Sequence, residues 1–285
     1  MVYFCADDYG ISTEGNRRIE TCLKKGVINK VSVLPNGEIT NFKERLSGDH
    51  ATLSLHVNLV EGRPLSNPND VSLLISDTGC FKYSFVGLLW LSVSRHRKEF
   101  EKQVYTEIQS QIRFWKNVMG EKAAVSIDSH QHAYMIPLIF RTFLRVIREE
   151  GLTAADIRIP AEPIAPYLFA PSLFFEYSFI GLIKQWLLKM LAFANRKELK
   201  KAKIQSSYFM GIMFSGQMNE ARLKKILPRY LRLAKKNKRN VEIGFHPGYI
   251  ENKENMMDGS RKAFGRFYFS PWRKAEYNTL LNLKL

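Results

Sequence analysis

Short runs of apolar and β-branched residues alternate with longer amphipathic stretches along most of this chain, and no other feature restricts its fold as strongly. A run of four to eight apolar residues reads as a strand buried on both faces, and a 3.6-residue apolar period between two such runs reads as the helix that crosses back over the sheet. The strands expected on this basis are residues 2–6, 30–34, 52–58, 124–128, 156–159, 207–212 and 241–245, with helical patterns at 14–25, 96–117, 138–150, 174–194 and 219–236. Strands and helices in this order predict an α/β chain with a buried, mostly parallel sheet. Seven strands suit a (β/α) barrel, seven-stranded or otherwise distorted from the TIM form, better than a small open sheet.

The 285 residues, 45% of them hydrophobic, suffice for one large domain spanning 1–285. Two segments break the rhythm, about 61–93 and about 158–195, the second opening on a proline-rich stretch. Both are too long for ordinary βα connections and read as insertions that cap a pocket. The net charge of +16 gathers in residues 196–203 and 222–239. These clusters lie on helix-like sequence with an apolar opposite face, and no nucleic-acid-binding signature accompanies them, so they read as solvated helix faces and no nucleic acid is expected. Peripheral contact with an anionic membrane surface stays open, as does a homodimer. Cys5, Cys22 and Cys80 form no CxxC pair, which argues against a disulfide framework and for a reducing, cytoplasmic setting. Met1 runs directly into VYFCADDYG, so no signal peptide is expected, and no stretch is apolar enough over about 20 residues to span a bilayer. The most apolar segment, 174–194, reads as a helix buried under the insertions, with a helix lying on a membrane as the alternative.

In a parallel βα architecture ligands bind where the strands end. Four polar clusters fall there: ADDYG from Ala6, LHVNLVEGRP from Leu55, DSHQH from Asp128 and GFHPGY from Gly244. Each has a bland reading, as a helix cap, a core histidine or a turn. Their recurrence at equivalent strand ends favours a site. One carboxylate and two imidazoles from three strands make an open metal centre with room for water and substrate. Asp128, His130 and His132 alternate and would share a face in extended chain, while Asp7 and Asp8 share a site only if the strand breaks between them, near Gly10. His50 and His96 lie in polar surroundings and carry no expected role.

These four blocks, in this order, resemble the signature blocks of the YdjC-like (ChbG) carbohydrate deacetylases from Val2 to about Tyr249. The stretch from Leu55 to Ala133 also resembles a subgroup associated with hopanoid lipid synthesis. The resemblance implies a barrel of the glycoside hydrolase/deacetylase type, one divalent metal ion (Mg or Zn), and removal of acetyl groups from N-acetylglucosamine units of oligosaccharides or of lipid-linked aminosugars. Carried across by position, it makes Asp8, His56 and His130 the metal ligands, Asp7 the general base as a free carboxylate beside them, and His246 the general acid, protonated near neutral pH. His132 becomes a substrate contact, and Arg63 and Tyr249 are placed by sequence at the mouth. Tyr9 stands where the family usually has phenylalanine, and the apolar 174–194 segment is also a departure, which leaves the acceptor sugar open. Three rivals remain: a glycoside hydrolase with two carboxylates, an iron oxygenase with the same donor set, and a non-catalytic sugar- or lipid-binding relative.

Overall fold

The computed structural model describes residues 1–46, 51–168, 170–177, 179–203, 206–252, 256–257 and 262–283; His50 lies outside them. Seven strands, β1 (Val2–Tyr9), β2 (Lys30–Val33), β3 (Thr52–Val57), β4 (Val125–Ser129), β5 (Ala154–Ile157), β6 (Tyr208–Met210) and β7 (Val241–Phe245), make one sheet in the order β5-β4-β3-β2-β1-β7-β6. Every neighbouring pair is parallel. β5 and β6 are the two ends of this order, so the expected barrel is a curled half-barrel with helices around it.

The described helices are α1 (Thr13–Lys25), α2 (Phe42–Arg45), α3 (Phe85–Leu91), α4 (Arg97–Met119), α5 (Pro137–Glu149), α6 (Ala165–Leu168), α7 (Phe179–Ala194), α8 (Arg196–Ala202), α9 (Glu220–Asn237), α10 (Lys262–Tyr268) and α11 (Pro271–Asn282). Several are set by local chemistry. Ser12 caps α1 by accepting from the Gly15 amide, Asn219 caps α9 through the Arg222 amide, and Pro137 opens α5 where its missing N–H costs nothing. α9 buries Leu223, Ile226, Leu227 and Tyr230 and leaves its lysines to solvent, as the amphipathic pattern requires.

One face of the strands is apolar and packs under the helices, through Phe4, Ala6, Val31, Val33, Leu55, Val57, Ile127 and Ile243. The alternate residues are polar and equally buried: Lys30, Ser32, Ser54, His56, Ser126, Asp128 and Glu242. Cross-strand register stacks them in layers, with Ser32 beside Ser54, Ser54 beside Ser126 and His56 beside Asp128. The concave face of the half-barrel is therefore a charged interior whose groups must satisfy one another.

Two expectations fail here for identifiable reasons. β4 ends at Ser129, and the chain turns through Gln131 and His132 with φ of 50° and 59°, so the extended run from Asp128 to His132 that the alternation assumed is not there, although His130 and His132 still line one cavity. The 174–194 segment divides into a short 3-10 turn (Pro171–Glu176) and α7, and α7 is not a buried helix. Only Gly181, Gln185, Leu188 and Leu191 are buried along it.

Candidate metal centre and its cavity

Asp8 reaches the concave face although β1 does not break between Asp7 and Asp8 but runs on to Tyr9. The strand carries a bulge: between the pairs Ala6–Val31 and Tyr9–Val33 stand two residues, Asp7 and Asp8, against the single Ser32, and Asp8 takes a left-handed φ of 70°. The kink turns both carboxylates of the Asp pair inward. His56 comes from the end of β3 and His130 from the first residue after β4. Ligand atoms of Asp8, His56 and His130, all buried, lie within 4.8 Å of one another. The Asp8 Oδ1 oxygen is 3.0 Å from His130 Nδ1 and 3.6 Å from His56 Nε2.

The atoms facing away from this cluster each have a partner. His56 Nδ1 meets Asp128 Oδ1 at 2.5 Å, His130 Nε2 meets Glu61 Oε1 at 3.2 Å, and Arg273 Nη2 donates to Asp8 Oδ2 at 2.5 Å. Asp128 itself accepts from Ser32 at 2.5 Å and from Ser54 at 2.9 Å. Imidazoles oriented through their second nitrogen by carboxylates are what metal-binding histidines require. One carboxylate and two imidazoles also suit a borderline divalent cation. The residues present thus fit a metal ion.

Electrostatics agree. Burial alone would strip His130 of its proton, yet Asp8 and Glu61 raise its pKa to about 10. Burial would likewise raise Asp8, but Arg273 and the two histidines hold its carboxyl well below the usual range. A pocket negative enough to keep an imidazole protonated in the interior is one that a cation can fill instead.

Asp7 is not the free carboxylate that the sequence suggested. Arg158 grips both its oxygens, Nη1 to Oδ2 at 2.6 Å and Nη2 to Oδ1 at 2.9 Å, and the Cys5 thiol donates to Oδ1 at 3.3 Å. Burial opposes ionisation, but the guanidinium outweighs it and keeps Asp7 below the ordinary carboxylate value. His246 also departs from expectation: burial lowers its pKa to about 4, so the ring is neutral at pH 7. Its amide donates to Glu276 Oε2 at 2.6 Å, and its Nδ1 lies 3.8 Å from the same oxygen.

The family profile described as YdjC-like protein matches residues 1–285. The chain belongs to the YdjC-like family. Among curated proteins it is 28% identical over 159 residues to a carbohydrate deacetylase of Danio rerio, covering 55% of this chain and 49% of the relative. A carbohydrate deacetylase of Thermoanaerobacter pseudethanolicus is 27% identical over 165 residues, covering 56% and 61%. The chain spans about half the length of the first of these relatives and less than two thirds of the second. A solved Enterococcus faecalis protein, named for cellobiose-phosphate cleavage, superposes with a TM-score of 0.64 at 17% identity over 99% of this chain and 90% of the other, a likeness of fold.

In this YdjC-like protein Asp7, Asp8, His56, His130, His132 and His246 line one cavity of about 660 Å³, within the range of small-molecule sites. His132 stands edge-on to Phe209 at 6.0 Å, and burial with nearby Arg158 pushes its pKa down to about 3, so it is a neutral wall group. Arg63 and Tyr249 do not line it. Arg63 is exposed, and the Tyr249 ring lies under the Arg18 guanidinium at 3.6 Å. Tyr9, the departure from the family pattern, turns away and donates to Glu20 at 2.7 Å. His96 precedes α4 at the surface, and its side chain makes no capping hydrogen bond.

The sequence reading missed five contributors. Asp128, inside a block already singled out, is the hub that orients His56. Arg158 begins a segment taken for a cap, yet is 1% exposed and also meets Asp128 at 3.1 Å and Glu242 at 2.5 Å. A lone arginine directly after an apolar strand was the signal for it. A lone glutamate within the apolar VEIGF run marked Glu242 in the same way. Glu61 lies inside the LHVNLVEGRP block without having been picked out of it, and Arg273 left no local sign. Tyr268 OH donates to Glu61 and Arg273 holds Asp8, so α10 and α11 close the site from the far end of the chain.

Proposed function

We propose that this protein is a cytoplasmic carbohydrate N-deacetylase that releases acetate from N-acetylated aminosugar units of oligosaccharides or glycolipids, using one divalent ion, magnesium or zinc, held by Asp8, His56 and His130. The observation that carries this reading is the buried Asp8, His56 and His130 cluster at the floor of a sugar-sized cavity, beside a second carboxylate and a third imidazole. Membership of the YdjC-like family and its carbohydrate deacetylase relatives support it.

A divalent ion bound there supplies Lewis acidity for the acetyl carbonyl and lowers the pKa of an attacking water. Asp7, kept ionised by Arg158, takes the proton released as water adds to the carbonyl carbon. Its bidentate pairing lowers its basicity but fixes its direction, which favours a base aimed at one atom. His246 enters as a neutral imidazole. The proton it gives to the departing amine must therefore be acquired within the site during turnover, because the resting ring carries none to spare at pH 7. His132 and the apolar walls exclude bulk water and contact the sugar.

The test is acetate release from chitooligosaccharides and lipid-linked aminosugars, with and without chelator. Acetate that disappears with EDTA and returns with added metal is expected. Reducing ends formed without acetate and insensitive to chelator would mean a glycoside hydrolase, and unaltered substrate with metal-loaded protein would mean a binding relative.

A further inference from the structure

The cavity mouth is bordered by two apolar segments that nothing in the described residues covers. α7 shows a helix-long stripe to solvent, Phe179, Leu182, Trp186, Met190 and Phe193, spaced by three and four residues so that all five share one face. Phe179, Trp186 and Phe193 are 76%, 65% and 66% exposed. The stripe extends about 21 Å at 1.5 Å per residue. Ile180, Ile183 and Leu188 of the same helix line the cavity itself, and Leu188 and Leu191 are buried against the protein. Phe85 and Val86 of α3 line the same cavity, and Val86, Trp90 and Val93 are 70%, 62% and 78% exposed.

Each apolar segment runs directly into cations. Arg95, Arg97 and Lys98 follow α3 and are exposed, and α8 (Arg196–Ala202) follows α7 with no buried residue. Arg196 lies over the exposed Phe193 ring at 3.7 Å, so the charge abuts the apolar stripe. A second copy of the chain docked on this face about a two-fold axis would bring the same lysines and arginines together. A bilayer with anionic headgroups accepts both the apolar side chains and the cations, and it suits two tryptophans at a polar–apolar boundary.

We propose that α7 and the α3 segment form a collar that seats on an anionic bilayer surface, with the cavity opening toward the membrane so that the aminosugar it takes is one held at that surface by a lipid. The docking stands on geometry and charge; the choice of sugar rests on the deacetylase reading. No helix of the described residues is long and apolar enough to cross a membrane, so this contact is peripheral.

The experiment is sedimentation of the full chain with phosphatidylcholine vesicles, with and without phosphatidylglycerol, alongside tryptophan quenching by brominated lipid. The wild-type chain is expected to bind the anionic vesicles at least tenfold more tightly than the neutral ones, and to weaken as salt rises. The triple variant Phe179→Ser, Trp186→Ser, Phe193→Ser is expected to lose at least about 100-fold in vesicle affinity. These positions are exposed and outside the cavity, so its melting temperature and its acetate release from a soluble oligosaccharide should match wild type. Absence of vesicle binding, or equal binding by the triple variant, would overturn the proposal. So would a dimer that the triple variant dissolves in the absence of any vesicle binding, which would assign the face to a second copy. Vesicle binding is read without catalysis, so binding without acetate release would sink the deacetylase reading and leave the docking intact.

Discussion

Replacing Arg158 with methionine should be among the most damaging single changes in this protein, although the new side chain is apolar and fits a buried position. The guanidinium is 1% exposed and meets three buried carboxylates, Asp7 at 2.6 Å, Asp128 at 3.1 Å and Glu242 at 2.5 Å. Among the described residues Lys30 stays 3.0 Å from Glu242 and His56 stays 2.5 Å from Asp128, so Asp7 is the carboxylate that loses most. Removing one partner of a buried ion pair leaves charge stranded in low dielectric, which costs about 3–5 kcal/mol. In a chain of this length that is a fall of roughly 5–8 °C in Tm. The assay is urea unfolding of chelated protein, so that metal binding does not enter the balance. The companion is Arg158→Met with Glu242→Gln. If stranded charge is the cause, neutralising one carboxylate should recover about 1–2 kcal/mol, so that the double variant is more stable than the sum of the two single losses. A loss below about 1 kcal/mol for Arg158→Met, or strict additivity in the double variant, would refute the reasoning. In the catalytic assay the same substitution should lower kcat more than it raises KM, because Asp7 loses the grip that aims it.

Asp7→Asn should cut kcat by about 10²–10⁴-fold while equilibrium dialysis still finds one metal ion per chain, since a base is removed and no ligand; loss of the ion would show that Asp7 is a ligand. His130→Ala should strip the ion and His132→Ala should keep it, the reverse result moving the ligand along the turn. Glu61→Gln should weaken metal affinity by about 10–100-fold through its contact with His130 Nε2, as measured by competition with a chelating dye. Glu276 gives a pH signature. Burial raises its pKa to about 8, above its unfolded value of about 4.3, so the folded state favours the protonated acid. Its contribution is fully present below about pH 4 and is lost as pH climbs through about 8. Glu276→Gln should therefore be destabilised at pH 5, where its amide opposes a backbone N–H, and regain ground against wild type by pH 8.5. A pH-independent difference in unfolding free energy would rule this out.

The strand positions were legible because burial on both faces of a parallel sheet writes itself as local apolar runs, and the four clusters at the strand ends were legible because topology puts ligands there. What could not be read is whatever depends on partners far apart in sequence. Asp8 and Arg273 are 265 residues apart and His56 and Asp128 are 72 apart, and no local pattern links such residues. The alternation argument failed at His132 for a different reason. It assumed extended backbone through His132, three residues past the point where β4 stops, and the left-handed Gln131 and His132 break the two-residue alternation there. The apolar 174–194 segment shows the converse limit. Periodicity identified the helix, but a helix apolar on most of its circumference is equally the sequence of one buried in protein and of one lying in lipid headgroups. Only the position of α7 at the cavity mouth, with its aromatic stripe turned outward and cations at its end, separates the two. That position also makes the proposed membrane contact and the proposed chemistry separable by mutation. The stripe residues Phe179, Trp186 and Phe193 lie outside the cavity while Ile180 and Ile183 of the same helix line it, so a variant defective in docking but not in catalysis should deacetylate soluble sugars at the wild-type rate and lose its advantage only when the sugar is held in a bilayer.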